Sequence, residues 1–457
     1  MDSQEKGQAH LSLPMSQWLS SARDDRVLIA WRGDKALCLG QFRRDVAALT
    51  EKLLGREERR WALCFDDSYR FAVALLASLY AGKVPVIFGH QREAILKEQR
   101  TDFDALLTDL ALNPGVPILA VSEGAGADIG LPAWPRDPRF ILYTSGSTGQ
   151  PQAVNKSVSC MDRESELLAA TWGDTFQGCR VVASVSHQHM YGLSFRVFLP
   201  LALGLPFDAQ LTQYHEQLIA QHQGQRLVFV SSPAWLKRLD NRLAIAECVD
   251  VISAGGPLSC AEAMQSKQAL GVLPLEIYGT TETGTLAWRR QDREETLWQP
   301  FADVRLTVNS DGSVQAMSPL IPDTGELVLS DIIQLAPDGR QFQLKGRADR
   351  IIKLEEKRLS LTEVEQRLIS LPEIADAAVI TQQRRGRTVL AAVIVLSAYG
   401  ETRRHALSEG EFTRALHQAL RCWLEPVALP RSWRIIDAIP LNPQGKRAYA
   451  ELQELFL

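Results

Sequence analysis

From about Arg60 onward, short apolar runs alternate with longer stretches in which apolar residues return at helical spacing. RWALCFDD is followed by SYRFAVALLASLYAG, then KVPVIFG, then REAILKEQRTDFDALL. A short β-branched and apolar run suits a strand buried on both faces, and a longer stretch of helical period suits an amphipathic helix. Ser68 stands where the first helix would be capped, and Gly82 where it would stop. The rhythm returns in RLVFVSSP, AWLKRLDN, VDVISAGG, SCAEAMQSKQALG and LEIYGTTE. Repetition of strand, helix and strand predicts an α/β fold of parallel sheets covered by helices.

After Gly284 the pattern changes. VRLTVNSDGSVQAMS and DIIQLAPDGRQFQLKG each pair two strand-like runs around Asp-Gly, a short-range hairpin signal. They predict a small β-rich subdomain over residues 298–346. The remainder is mixed: a helical LTEVEQRLISL, a hairpin around Arg385-Gly386, a helical EFTRALHQALRCWL and a loop LNPQGKRAY. At 457 residues the chain exceeds one compact core. The expected organisation is a large N-terminal domain, 1–346, and a small α+β C-terminal domain, 347–457, joined by a short hinge.

Composition narrows the function classes. Apolar residues at 46% and charged residues at 23% fit a soluble globular protein. A net charge of −4 gives no support to nucleic-acid binding. From Gly346 onward there are 17 Lys and Arg against 14 Asp and Glu, and before it 33 against 40, so a mildly basic tail follows an acidic body. Seven cysteines without a Cys-x-x-Cys pair predict reduced thiols, a cytoplasmic setting and no zinc site. The first residues lack a basic segment leading into an apolar run, so no signal peptide is expected. Residues 71–89 and 193–207 are broken by Lys83 and Pro85 and by Arg196 and Pro200, so no membrane span is expected either.

FILYTSGSTGQPQAVNKS, Phe140 to Ser157, carries the first chemistry. Backbone N–H groups from Thr144 to Gly149, with the hydroxyls of Thr144, Ser145, Ser147 and Thr148, could wrap an anion, and Gly146 and Gly149 let the backbone turn around it. The simpler alternative is an ordinary strand-to-helix turn. A phosphate loop closing on Gly-Lys would follow with lysine, yet here Gln150-Pro151-Gln152 follows Gly149. YGTTETG, Tyr278 to Gly284, places the hydroxyls of Thr280 and Thr281 beside the Glu282 carboxylate, an oxygen set suited to Mg²⁺. SAGGPL, Ser253 to Leu258, would let a flat ring approach the backbone. Asp331 and Arg347 follow consecutive strand-like runs and suit sugar hydroxyls and phosphate. His187 and His189 lack a third ligand nearby, so a metal site there is not expected.

In this order, from about Arg60 to Lys446, the motifs together resemble the adenylate-forming superfamily of acyl- and aryl-CoA synthetases, non-ribosomal peptide adenylation domains and luciferases. The resemblance implies that Thr144, Ser145, Gly146, Ser147, Thr148 and Gly149 form the phosphate loop. It implies that Gly255, Gly256 and Pro257 face adenine, that Tyr278 stacks on it, and that Gly279 and Thr280 belong to the same nucleotide site. Thr281 would meet the α-phosphate, Glu282 would hold Mg²⁺, and Asp331 with Arg347 would bind the ribose. His189 belongs to a gate beside the acyl pocket, and Tyr191, Gly192, Leu193, Ser253 and Gly284 would line that pocket. Asp349 is the hinge position. In PLNPQGKRAY the lysine missing from the first loop reappears: Lys446 would be the catalytic lysine, carried by a mobile C-terminal domain.

Two residues depart from the family pattern. Gln152 replaces a lysine after the phosphate loop, for which Lys156 is a substitute if it is not a surface residue at a helix start. Glu356 replaces a glycine beside the thiol's path. The resemblance implies ATP, Mg²⁺ and a phosphopantetheine thiol, on CoA or on an acyl carrier protein. The basic tail and Glu356 favour the acidic carrier protein. The compact length and the EEKRLSL segment resemble stand-alone ligases of aryl-polyene-type clusters, which implies an aryl or fatty acid as substrate. An amino-acid substrate would need a carboxylate for its ammonium, for which Asp208, Asp240 and Asp250 stay open. A non-catalytic sensor of the same fold, and an adenylating enzyme with an amine or oxygen acceptor, are the alternatives.

Overall fold

A computed structural model of the chain describes residues 12–121, 130–145, 151–222, 224–256, 258–293, 295–310, 312–322, 324–347, 351–355, 357–440 and 449–456. The chain forms two compact units. One comprises Met1–Gln91, Gln99–Thr144 and Ala153–Ala348, the other Arg92–Glu98, Ser145–Gln152 and Asp349–Leu457.

The first unit holds two large sheets. The nine-stranded sheet runs in the order Gln299–Pro300, Gly284–Arg290, Leu275–Thr280, Asp250–Ser253, Leu227–Ser231, Arg180–Ala183, Phe207–Asp208, Leu28–Arg32 and Lys35–Cys38. Its interior pairs are parallel, and antiparallel pairs close both edges. The six-stranded sheet runs Ile118–Ala120, Ala105–Thr108, Arg60–Cys64, Val84–Ile87, Arg139–Ser145 and Pro151–Ser157, with four parallel pairs among the first five strands. Every residue of Leu227–Ser231, Asp250–Ser253 and Ala105–Thr108 is buried, the pattern of strands covered on both faces. Three antiparallel strands, Arg305–Val308, Val314–Met317 and Glu326–Leu329, and the pair Asp331–Leu335 with Phe342–Arg347 form the β-rich part read from the two Asp-Gly turns.

The helix Ser68–Tyr80 starts one residue earlier than its sequence suggests. Asp67 is the cap, accepting the Arg70 N–H at 2.9 Å and bound to Arg32 at 2.5 Å. Ser68 is already committed, with its hydroxyl 2.8 Å from His187 Nδ1. Gly82 ends the helix as expected, at φ 66°.

On the helix Val158–Phe176, Asp162 accepts the Met15 N–H at 2.9 Å, and burial pushes its carboxyl up to about 6. A carboxyl raised on folding holds more protons folded than unfolded, so stability falls as pH rises toward 6 and the cost is complete above it. Asp162→Asn keeps an acceptor for Met15 and removes the charge. It should raise the melting temperature near pH 7.5 and leave it unchanged near pH 4. An equal shift at both would show that the charge is not the cause.

The second unit is built on the hairpin Ile374–Arg384 and Arg387–Leu396, with Ser432–Ile435 added in parallel. Arg385 and Gly386 hold φ of 51° and 76° at its tip, the left-handed pair of a two-residue hairpin turn. Helices Leu361–Ile369 and Glu409–Leu420, capped by Ser360 and Ser408, contribute Val364, Leu368, Phe412 and Leu416 to a core with Val379 and Ile394. Among the described residues no helix is long and apolar enough to cross a membrane, and the seven cysteines are free.

Candidate active site

The large-sheet motifs SAGGPL and YGTTETG lie at the carboxyl ends of neighbouring strands. Leu227–Ser231, Asp250–Ser253 and Leu275–Thr280 are consecutive and parallel, with Ser231 opposite Ser253 and Ser253 opposite Glu276. Ligands of open α/β sheets bind at such ends. Ser253 is buried, and its Oγ has no hydrogen-bond partner among the described residues. A buried hydroxyl left unpaired costs free energy unless a ligand or water completes it. Beyond it Gly255 takes φ 92°, which a side chain would strain, and Gly256 is half-buried.

The next strand ends in the turn Thr281–Thr283. Thr280 N–H donates to Thr283 Oγ1 at 3.1 Å, Thr283 N–H returns a bond to Thr280 Oγ1 at 3.2 Å, and Thr283 Oγ1 donates to the Gly284 carbonyl. Thr281 is buried and Glu282 half-buried. Among the described residues no hydrogen bond or ion pair is found on the Glu282 carboxylate, while its backbone carbonyl accepts from Lys156 Nζ at 2.9 Å. Gly279 must be glycine, because a Cβ there would stand 2.2 Å from the Gly284 carbonyl oxygen. Gly284 takes φ 69° and abuts Glu164 and Leu320.

The strand Gly284–Arg290 fastens this turn to the sheet. Arg289 bonds both oxygens of Glu276 at 2.8 and 3.1 Å, and Arg290 both oxygens of Asp250 at 3.1 and 2.6 Å. Burial raises the Glu276 carboxyl while Arg289 opposes it. Asp250 is therefore occupied, as is Asp208 by Arg180 and Asp240 by Arg242. None of the three aspartates left open for a substrate ammonium lacks an arginine.

His187 and His189 do not share a strand face. His187 is in the core, on Ser68 and against Phe71 at 4.3 Å between ring centroids, where burial holds it well below the usual imidazole range. His189 instead precedes the helical turn Met190–Gly192, and a Cβ on Gly89 would come within 3.1 Å of its ring. The chain then continues as a π-helical turn, Leu193–Phe198, which no sequence pattern announced. Gly192 is glycine for packing, since a Cβ would fall 2.1 Å from the Ser186 carbonyl oxygen. Leu193 is fully buried. The Tyr191 hydroxyl lies 3.0 Å from the Ser231 carbonyl and 2.9 Å from that of Ile252, which ties this segment to the two strand ends. Tyr191→Phe should lower stability by about 1 kcal/mol, the worth of one hydrogen bond, and calorimetric melting measures it. An unchanged melt would mean that this tie contributes nothing.

Tyr278 is 4% exposed and packs at 5.7 Å on Phe342 and 5.8 Å on Trp298. Phe342 starts the strand that ends at Arg347, and Arg347 is the register partner of Asp331. The sequence put Asp331 at a strand's end; it begins one, and so faces Arg347 across a hairpin. Thr144 is half-buried near the end of Arg139–Ser145. Gly146, Ser147, Thr148, Gly149, Pro257, Asp349, Glu356 and Lys446 lie outside the described residues, as do the side chains of Ser145 and Arg347.

Lys156 is not a surface residue. It is 1% exposed, and burial lowers its ammonium pKa against the opposing charges of Glu164, Cys160 and Glu282. Glu164, 2% exposed, accepts the Thr285 N–H at 2.8 Å and the Ser194 hydroxyl at 2.5 Å. Neither role was anticipated, although strand alternation puts Lys156 on the face of Val154. Gln152, by contrast, is exposed.

Comparison with known proteins identifies the family. Residues 90–331 match the family described as AMP-binding enzyme, and residues 363–446 its C-terminal domain. A 4-coumarate–CoA ligase of Halorhodospira halophila is 29% identical over 67% of this chain and 74% of its own length. An L-proline–[L-prolyl-carrier protein] ligase of Streptomyces coelicolor is 25% identical over 93% of both chains. In fold, an o-succinylbenzoate CoA synthetase of Bacillus subtilis superposes with a TM-score of 0.80 at 18% identity, over 96% of this chain and 98% of that one. With both parts of the family matched in order along the sequence, the chain belongs to the AMP-binding enzymes of the adenylate-forming superfamily.

Proposed function

We propose that the protein is an ATP-dependent carboxylic acid:thiol ligase. The observation that carries this reading is the turn Thr281–Thr283, which presents Thr281 and a Glu282 carboxylate without a hydrogen bond or ion pair among the described residues, two strands from Ser231 and one from Ser253. The acid's carboxylate attacks the α-phosphorus of ATP, a P–O bond forms, and pyrophosphate leaves with the electrons of the broken bond. A thiolate then attacks the acyl carbon, and AMP departs. Thr281 binds the α-phosphate, Asp331 and Arg347 hold the ribose, and Ser253 offers its hydroxyl to the acid or the nucleotide. Lys446, in the mobile C-terminal domain 347–457 with its hinge at Asp349, stabilises charge at the α-phosphate as it accumulates. The half-buried Glu282 carboxylate is an oxygen ligand of the kind that suits Mg²⁺, which when bound would neutralise phosphate charge.

The acceptor in this reading is the phosphopantetheine arm of an acyl carrier protein. It is supported by the basic tail, by Glu356 and by the full-length likeness to a carrier-protein ligase. The acid is aryl or fatty, as in stand-alone ligases of aryl-polyene-type clusters. No uncommitted aspartate was found for an ammonium among Asp208, Asp240 and Asp250. The test is pyrophosphate release with ATP, Mg²⁺ and a panel of hydroxybenzoates, cinnamates, fatty acids and amino acids, each with CoA, holo carrier protein or neither. Release by an aromatic or fatty acid, with thioester on the carrier, is the expected result. Thioester on CoA alone overturns the acceptor, and bound ATP without release from any acid makes the protein a nucleotide-binding sensor.

A further inference from the structure

The turn that bears Glu282 is gripped on both sides by the segment following the glycine-rich loop. Lys156, near the end of the strand Pro151–Ser157, donates to the Glu282 carbonyl at 2.9 Å. Glu164, on the helix that follows, accepts the Thr285 N–H at 2.8 Å. A cation and an anion thus hold a carbonyl within the bend and an amide just after it. A lysine buried to 1% exposure is expensive, and an apolar side chain would fill the place at lower cost. What the cation adds is a donor aimed at one carbonyl. One of its three N–H donors goes to that carbonyl and the side chain is shielded from solvent, so it is poorly placed to act as a phosphate-facing substitute for the lysine absent at Gln152.

We propose that Lys156 is a positioning residue for nucleotide binding. It fixes the Glu282 peptide from within the core, and so holds the carboxylate of the same residue in place for the metal-bound nucleotide. Glu164 completes the grip and, through Ser194 at 2.5 Å, joins it to the π-helical turn behind Tyr191. The proposal rests on the reading of Glu282 as the metal anchor.

Two measurements on Lys156→Met, an apolar side chain of similar length, test it. Hydrogen–deuterium exchange of peptides covering residues 278–286 should quicken by about tenfold without ligand, the change that loss of one charge-assisted hydrogen bond produces. The KM for Mg·ATP should rise by about the same factor, while the KM for the acid stays put. Lys156→Arg, which keeps charge and donors, should recover part of both losses, and Lys156→Gln serves if the Met variant does not fold. Unchanged exchange overturns the proposal. Faster exchange with an unmoved KM for Mg·ATP also overturns it, since the lysine would then be structural only. Glu282→Gln separates the underlying reading: if that variant binds Mg·ATP with wild-type affinity in calorimetry, Glu282 is not the anchor, whatever Lys156 does to the turn.

Discussion

Lys446→Ala should lower acid-dependent pyrophosphate release by about a hundredfold to a thousandfold while leaving ATP binding within a few-fold of wild type. The argument is electrostatic. As the acid's carboxylate approaches the α-phosphorus, two negative groups converge and further charge builds on the phosphoryl oxygens. A positive charge placed there gains more in the transition state than in the ground state, so its removal falls on kcat. The lysine expected after the first loop is replaced by the exposed, neutral Gln152, so no second cation of that loop compensates. Synthetic acyl adenylate bypasses the lost step. Lys446→Ala given that adenylate and a thiol should form thioester at close to the wild-type rate. Equal loss in both half-reactions would remove the lysine from its assigned role.

Gly279→Ala should destabilise the protein by roughly 1–3 kcal/mol and abolish tight Mg·ATP binding. The new Cβ would meet the Gly284 carbonyl oxygen at 2.2 Å, and the Gly284 carbon and Thr285 Cα at 3.0 Å. All three are backbone atoms of the facing strand and cannot rotate aside. Relief requires the two strands to part where Gly279 faces Thr285, beside an existing irregularity in their register. That parting pulls on the Thr285 N–H held by Glu164 and shifts Thr280, Thr281 and Glu282 together. Urea denaturation and titration calorimetry read the two effects. Gly130→Ala is the control, because nothing lies within 4 Å of a Cβ at that position. If both variants behave as wild type, the turn is softer than its packing indicates.

Patterning made the architecture legible because strands buried on both faces leave unbroken apolar runs, as at LVFVS, and two-residue hairpin turns need residues such as Gly386 that tolerate positive φ. The motif residues were legible for a different reason. Hydroxyls, glycines and a carboxylate crowd into YGTTETG without the apolar periodicity of a strand or helix. What escaped was whatever depends on distant partners. The capping role of Asp67 over Ser68 turns on His187, far along the chain. The burial of Lys156 needs a carbonyl from residue 282, and the π-helical turn follows from packing around Tyr191 and Ser194. Asp331 and Arg347 were expected to share the ribose, but only the strand register shows that they are opposite one another.

The pairing of Leu28–Arg32 with Phe207–Asp208 sets a constraint in time. Ala30 needs Phe207 as its parallel neighbour, and Phe207 in turn needs Val181. On a ribosome adding about 5–20 residues per second, the first strand would wait on the order of 10 to 35 s for its partner to be made. Throughout that interval its buried positions, Ile29 and Ala30, stay uncovered on that side, with only the short hairpin to Lys35–Cys38 available. Such non-local closure also slows refolding of the finished chain. Yield in a cell should therefore depend on how well this early hairpin is shielded during synthesis, and low temperature or abundant chaperone should improve it more than any change at the site.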